Sequence, residues 1–193
     1  MLKANAGLGL NTHFDKPVRF PLGYTDAWIE PEQQRPRASF QGNLMVLKAL
    51  NDRFSIGVSG SYSTFGFVET GSELSFWTGT HTPYRKERAF EMYGLGLIAG
   101  VHIVKKDLSK LSAYTGLRYE EIIDSKGIYL WRESYNQDKF AAELLLEYGH
   151  KLARRLYLTI GLQSVLSLND FYTSIPYRPL RYGVSLGVEY ELL

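Results

Sequence analysis

The closing stretch of the chain, Leu180 to Leu193, narrows the possible folds more than any other segment. Leu180, Tyr182, Val184, Leu186, Val188, Tyr190 and Leu192 fall on one face, and Arg181, Gly183, Ser185, Gly187, Glu189 and Glu191 on the other, because strand side chains alternate with period two. One face is apolar or aromatic; the other is small or charged. Such a strand divides two unlike environments, and the same alternation recurs along the whole chain.

Read in order, the alternating segments are Leu2–Asn11, Ala38–Ala49, a third from Phe54, Ala89–Val104, Leu111–Ile122, Lys139–His150, Leu156–Leu166 and the closing stretch. The segment Lys139–His150 is rich in Ala, Leu and Glu, which favour helix, but its apolar residues recur at every second position, and the period decides for strand. Three connections are short: Leu50–Arg53, Lys105–Lys110 and Lys151–Arg155. Four are long: Thr12–Pro36, Glu69–Glu87, Asp124–Asp138 and Ser167–Pro179. All seven prolines and all three tryptophans fall in the long ones, and since proline cannot donate to a sheet ladder these are expected to be irregular loops. Eight strands with alternating long and short connections form an antiparallel up-and-down β-barrel in a single domain spanning residues 1–193, closed by pairing the last strand with the first.

Which side faces lipid follows from two further features. Ser55, Gly57, Ser59, Ser61 and Ser63 share the polar face of the third strand, whereas a surface facing bulk water would carry Lys, Glu and Arg. A row of Ser and Gly fits a narrow interior. On the apolar face, Phe54 and Tyr62, Phe140 and Tyr148, and Tyr182 and Tyr190 each stand eight residues apart. At a tilt of roughly 40° eight residues climb about 20 Å, close to the apolar band between the aromatic girdles of a membrane barrel. The competing architecture is a soluble lipocalin-like barrel, with its apolar face inside and its charges outside. Mean hydropathy is slightly negative, as expected when every second residue faces away from lipid.

The whole chain resembles the small eight-stranded OmpA/OmpX-like outer-membrane barrels of Gram-negative bacteria. That resemblance implies an outer-membrane location with the termini and short turns in the periplasm. Its end is similar to the C-terminal signal read by the barrel-assembly machinery, carried here by Ser185, Gly187, Tyr190 and Leu192; the departure is the last residue, Leu193, where an aromatic is usual. The start lacks the basic and apolar segments of a signal peptide, so on this reading the sequence is a mature form with an added or retained methionine.

No chemistry stands out. The chain has no cysteine and a net charge of +2 spread along its length, which excludes disulfides and thiolate sites and leaves no basic tract for nucleic acid. Gly94-Leu95-Gly96-Leu97-Ile98-Ala99-Gly100 is near a dinucleotide fingerprint, but alternation runs through it where a helix is required, so the glycines are read as small residues facing a crowded interior. His13, His81, His102 and His150 show no metal-ligand spacing, and neither a metal nor a cofactor is expected. The outward polar residues Thr115, His150 and Ser164 do not converge as a catalytic triad would, which argues against the alternative of a lipid-modifying enzyme. Arg118, Glu120, Glu143, Glu147 and Arg181 point into the interior; Arg118 is expected to pair with a glutamate of the sixth strand, and the whole set to plug the lumen. Lys105, Lys106, Lys110, Lys151, Arg154 and Arg155 are expected on the short-turn rim, against headgroups. The long loops carry a heavy aromatic load, with Trp28, Trp77, Tyr129, Trp131 and Tyr172 foremost, and form either an ordered cap or a surface for another outer-membrane or surface protein.

Overall fold

In the computed structural model, which describes residues 1–12, 20–21, 27–75, 78–126, 138–170 and 178–191, all regular structure is β. The strands are β1 (Leu2–Thr12), β2 (Phe20–Pro21), β3 (Ala27–Pro36), β4 (Ala38–Ala49), β5 (Phe54–Ser75), β6 (His81–Lys105), β7 (Ser109–Lys126), β8 (Asp138–Ala153), β9 (Leu156–Ser167) and β10 (Leu180–Tyr190). Eight of them, β1, β4 to β10, close into a ring of antiparallel neighbours, with β10 paired to β1 from Leu2↔Tyr190 to Thr12↔Leu180. Every barrel strand has a partner on each side, as a sheet in hydrocarbon requires.

The register fixes the shape. From Leu2 it passes through Val46, Val58, Leu97, Leu117, Ala142, Leu166 and Leu180 and returns to β1 at Thr12, so one circuit shifts from position 2 to position 12. A shear of about ten on eight strands gives a strand tilt near 40° and a radius of roughly 8 Å. An interior of that size has room for side chains alone.

The faces divide as the alternation requires. Leu8, Leu44, Leu95, Leu97, Leu117, Leu144, Leu162 and Leu186 are exposed on the outside, whereas Ser55, Ser59, Ser63, Arg118, Glu120, Glu143, Ser185 and Glu189 are buried within. This is the reverse of a lipocalin. At the long-loop end, six of the eight barrel strands carry an outward aromatic: Phe40, Tyr62, Tyr93, Tyr119, Phe140 and Tyr182. Tyr62 packs between Phe40 and Tyr93 at centroid distances of 6.4 and 5.4 Å, and Tyr119 meets Phe140 at 5.8 Å. Phe54, Tyr148 and Tyr190 stand exposed toward the short-turn end, so all six expected girdle residues face outward.

Two long loops differ from the expectation. Glu69–Glu87 is largely strand, since β5 runs to Ser75 and β6 starts at His81, paired from Leu74↔His81 downward. Thr12–Pro36 contains β2 and β3, and β3 lies along the upper half of β5 from Ala27↔Ser75 to Pro36↔Phe67. Prolines are tolerated here because a strand with a free edge, or a bulge, needs no donor at every position. Among the described residues β3 has only the two-residue β2 on its other side, and its register shifts between Pro31 and Gln33; Pro83 sits in the part of β6 paired with β5 alone. The result is a three-stranded wall rising past the upper aromatics. From Tyr62 to Ser75 it extends on the order of 30 Å.

A charge placed at mid-belt tests the outside as a lipid face. Leu97→Arg is expected to lower folding stability in vesicles by about 2–4 kcal/mol, measured by denaturant titration; a change within about 0.5 kcal/mol, as on a water-exposed surface, contradicts the assignment.

Candidate functional site

The densest chemistry of the barrel is its lumen, lined by inward positions of all eight barrel strands, β6 giving it small and apolar residues and the others its polar ones. Toward the short-turn end two ammonium groups are held alike. Lys3 of β1 pairs with Glu147 of β8 and lies 3.9 Å over the Tyr114 ring; Lys110 of β7 pairs with Glu189 of β10 and lies 3.9 Å over the Tyr157 ring. Each cation has a carboxylate on one side and an aromatic face on the other. Both lysines are buried. Met45, Leu47, Ile98, Tyr114 and Leu145 form an apolar cluster at this level.

Amides occupy the middle. Asn43 donates to Asn5 at 3.0 Å and to Gln163 at 3.3 Å, and Gln163 donates to Glu143. Gln41, with its carbonyl turned to Arg118, accepts from both terminal guanidinium nitrogens at 2.9 and 3.0 Å.

Above them runs one continuous ionic chain. Arg118 Nη2 meets Glu143 Oε2 at 2.8 Å, Arg118 Nη1 lies 3.7 Å from Glu120, and Arg181 Nη2 donates to both Glu120 oxygens at 2.7 and 2.5 Å while its Nη1 donates to Ser63 at 3.0 Å. Lys139 donates to the Asp170 carbonyl at 3.2 Å. The long-loop end on the β5–β6 side is apolar: Phe65 stacks on Phe90 with centroids 4.8 Å apart, and Phe67, Met92 and Ile122 are buried too. Buried cations Lys3, Lys110, Arg118, Lys139 and Arg181 thus face buried carboxylates Glu120, Glu143, Glu147 and Glu189, a near balance that burial demands.

Of the five interior charges expected from sequence, Arg118, Glu120, Glu143 and Arg181 form this one network, with the expected Arg118 to strand-six glutamate pair made by Glu143. Glu147 belongs to a separate pair with Lys3. Lys110 is a correction: expected on the rim, it is 2% exposed and sits inside the barrel, because β7 begins at Ser109 and its inward parity, shared with Ser112 and Tyr114, extends to 110. Reading Lys105–Lys110 as a turn hid it. Period-two parity puts Lys3 and Glu189 on the inward face, and the pairing of β1 with β10 sets them opposite one another; neither was among the interior charges expected from sequence. Gln163, Asn43 and Lys139 carried no signal beyond parity.

The glycine-rich run of β6 serves crowding. A Cβ at Gly96 would lie 2.8 Å from Arg118 Cβ, and at Gly100 it would lie 2.5 Å from the Tyr114 ring, so no larger residue fits. The candidate triad does not assemble: Thr115 and Ser164 flank Leu144 from opposite sides, and His150 is six positions further along β8. His102 Nδ1 and Ser112 Oγ are 2.8 Å apart, but Ser112 is 1% exposed, so a substrate carbonyl has no access to it. Among the described residues no three His or acidic side chains are grouped to hold a metal. Ser185, Gly187 and Tyr190 lie in β10 with Ser185 inward and Tyr190 outward, and Leu192 is outside the described residues. Trp28 lies in β3 opposite Leu74; Trp77, Tyr129, Trp131 and Tyr172 are outside the described residues.

A closed antiparallel barrel with an apolar belt, aromatic rings and a charge-paired interior is a membrane-spanning barrel of the outer-membrane type. No family model and no curated protein matches the chain. Among solved structures it is similar to the outer membrane protease OmpT of Escherichia coli at 9% identity, with 99% of this chain and 96% of that one covered and a TM-score of 0.45. It is also similar to the translocator domain of the autotransporter NalP of Neisseria meningitidis at 14% identity, with 99% and 87% covered and a TM-score of 0.42. A third is Ail, the attachment invasion locus protein of Yersinia pestis, at 9% identity, with 97% of each chain covered and a TM-score of 0.28. These likenesses are too slight to add to what the geometry gives.

Arg181→Met strands Glu120 beside a single distant guanidinium and is expected to cost about 3–5 kcal/mol. Arg181→Met with Glu120→Gln is expected to recover most of that loss in the same denaturant titration. A double variant no more stable than the single one contradicts the pairing.

Proposed function

We propose that this chain is an integral protein of the Gram-negative outer membrane, with its short turns and termini on the periplasmic side, that acts through its long-loop side as a structural, adhesive or accessory protein. Catalysis and cofactor binding have no part in this reading. The observation that carries it is the filled lumen: an interior crossed by the Glu143–Arg118–Glu120–Arg181 chain, with Lys3–Glu147 and Lys110–Glu189 beneath, supports a barrel closed to solute. What remains free to meet a partner is the outer surface. The wall of β3, β5 and β6 supports that side, since paired strands hold a surface in place at less ordering cost than a free loop. Trp28, Trp77, Tyr129, Trp131 and Tyr172 supply the aromatic residues that dominate binding hot spots. The insertion signal at Ser185, Gly187, Tyr190 and Leu192 makes the barrel-assembly machinery a transient partner, and outer-membrane lipid a permanent one.

In planar bilayers the barrel is expected to show no steady conductance, while unboiled, detergent-extracted protein migrates differently on a gel from boiled protein. Porin-level conductance overturns the plug, and full solubility without detergent overturns the membrane location. Trp77→Ala with Trp131→Ala separates the roles of the loops: a stable barrel that loses a co-purifying protein supports an interface, and a barrel that loses stability with no partner present supports a self-packed cap.

A further inference from the structure

The short-turn rim carries a repeated chemistry that the lumen does not use. One leucine stands in or directly beside each short turn, Leu50 and Leu108 within theirs and Leu152 at the end of β8, and these are 62%, 63% and 57% exposed. Cations flank every one: Lys48 and Arg53 around Leu50, Lys105 and Lys106 before Leu108, and Lys151, Arg154 and Arg155 around Leu152. None of these cations forms an ion pair with a described residue. The acids of the rim are few. Asp52 and Asp107 are exposed, and Glu191 lies 3.8 Å from the buried Lys110.

The turns are also tied together. His102 N donates to the Arg53 carbonyl at 2.8 Å, Lys151 N to Leu108 at 2.9 Å and Glu191 N to Arg155 at 2.9 Å, so leucines and cations stand on one continuous backbone ring. Phe54 directly follows the first turn and Tyr148 precedes Leu152 by four positions. The tips therefore lie within about 10 Å of the lower aromatics, the depth at which hydrocarbon gives way to phosphate. An isolated apolar residue beside a long cationic one suits that boundary, the first entering the acyl region while the second reaches the headgroups.

We propose that this rim binds anionic phospholipid, with Lys105, Lys106, Lys151, Arg154 and Arg155 gathering the headgroup phosphates of the short-turn leaflet while Leu50, Leu108 and Leu152 enter the acyl boundary. The proposal rests on the chain being a membrane-spanning barrel. Lipid is favoured over a protein partner because the leucines are spread over three separate turns instead of forming one patch, and because the excess charge is of one sign.

The test offers the purified barrel equal amounts of phosphatidylglycerol and phosphatidylcholine and counts the lipid retained by native mass spectrometry. At low salt the wild type is expected to retain phosphatidylglycerol about fivefold or more in preference, and to lose that preference near 1 M NaCl. The variant carrying K105Q, K106Q, K151Q, R154Q and R155Q is expected to retain both lipids about equally while keeping heat-modifiable migration; should it not fold, the salt dependence of the wild type decides alone. Equal retention by the wild type, a preference that survives high salt or the substitutions, or cation-dependent capture of a protein in place of lipid overturns the proposal. A barrel that inserts without lipid preference refutes this proposal alone, whereas one that needs no detergent refutes the membrane reading beneath it.

Discussion

Everything in this molecule follows from the rule that a backbone in hydrocarbon must satisfy all of its own hydrogen bonds. A sheet meets it only by closing, and here closure is the pairing of β1 with β10. Closing with a shear of about ten fixes the tilt and, with it, a radius of roughly 8 Å. That radius decides the interior, which is about wide enough for side chains to fill and too wide to leave empty. Polar side chains long enough to reach across fill it, and since charge is costly in a confined space unless paired, the fillers come as Lys3–Glu147, Lys110–Glu189 and the Glu143–Arg118–Glu120–Arg181 chain. The glycines of β6 and the serines of β5 make room for them.

This dependence explains what was legible in the sequence. Period-two alternation is imposed residue by residue at the boundary between lipid and lumen, so the eight barrel strands and their faces could be read directly; Ala38–Ala49 appears with the same bounds in the structure. The interior charges were legible as a set because parity alone assigns their side. Their partners were less so, since pairing depends on register and shear around the whole ring. Glu147 finds Lys3 from 144 residues away, and Lys110 points inward because β7 begins at Ser109, inside the stretch Lys105–Lys110 whose sequence resembles a turn.

Above the membrane the constraint relaxes and the sequence signal weakens with it. Once past the aromatic ring, a strand needs only one partner, water satisfies its other edge, and proline becomes admissible. Hence Pro31, Pro36 and Pro83, which argue for loops when read alone, sit in β3 and β6. The three-stranded wall they help to form is the largest difference between the expected and the observed fold. At the opposite end the short turns follow a third rule, that of an interface where leucine and lysine are each half at home. The molecule is thus three environments in series, and each wrote a different pattern into the chain.

The central claim is that the apolar face of each strand meets lipid and the polar face a sealed lumen. The absence of cysteine allows single cysteines to be placed along β10 in vesicles: at Val184, Leu186 and Val188, labelled with a nitroxide and read for accessibility, and at the buried Ser185, where a thiol is nearly the size of the hydroxyl it replaces, read for reaction with a water-soluble maleimide. Labels at 184, 186 and 188 are expected to be accessible to oxygen from the lipid phase and shielded from a water-soluble nickel complex, and the thiol at 185 is expected to stay unmodified. Access of the nickel complex at 184, 186 and 188, or modification of the thiol at 185, would contradict the account.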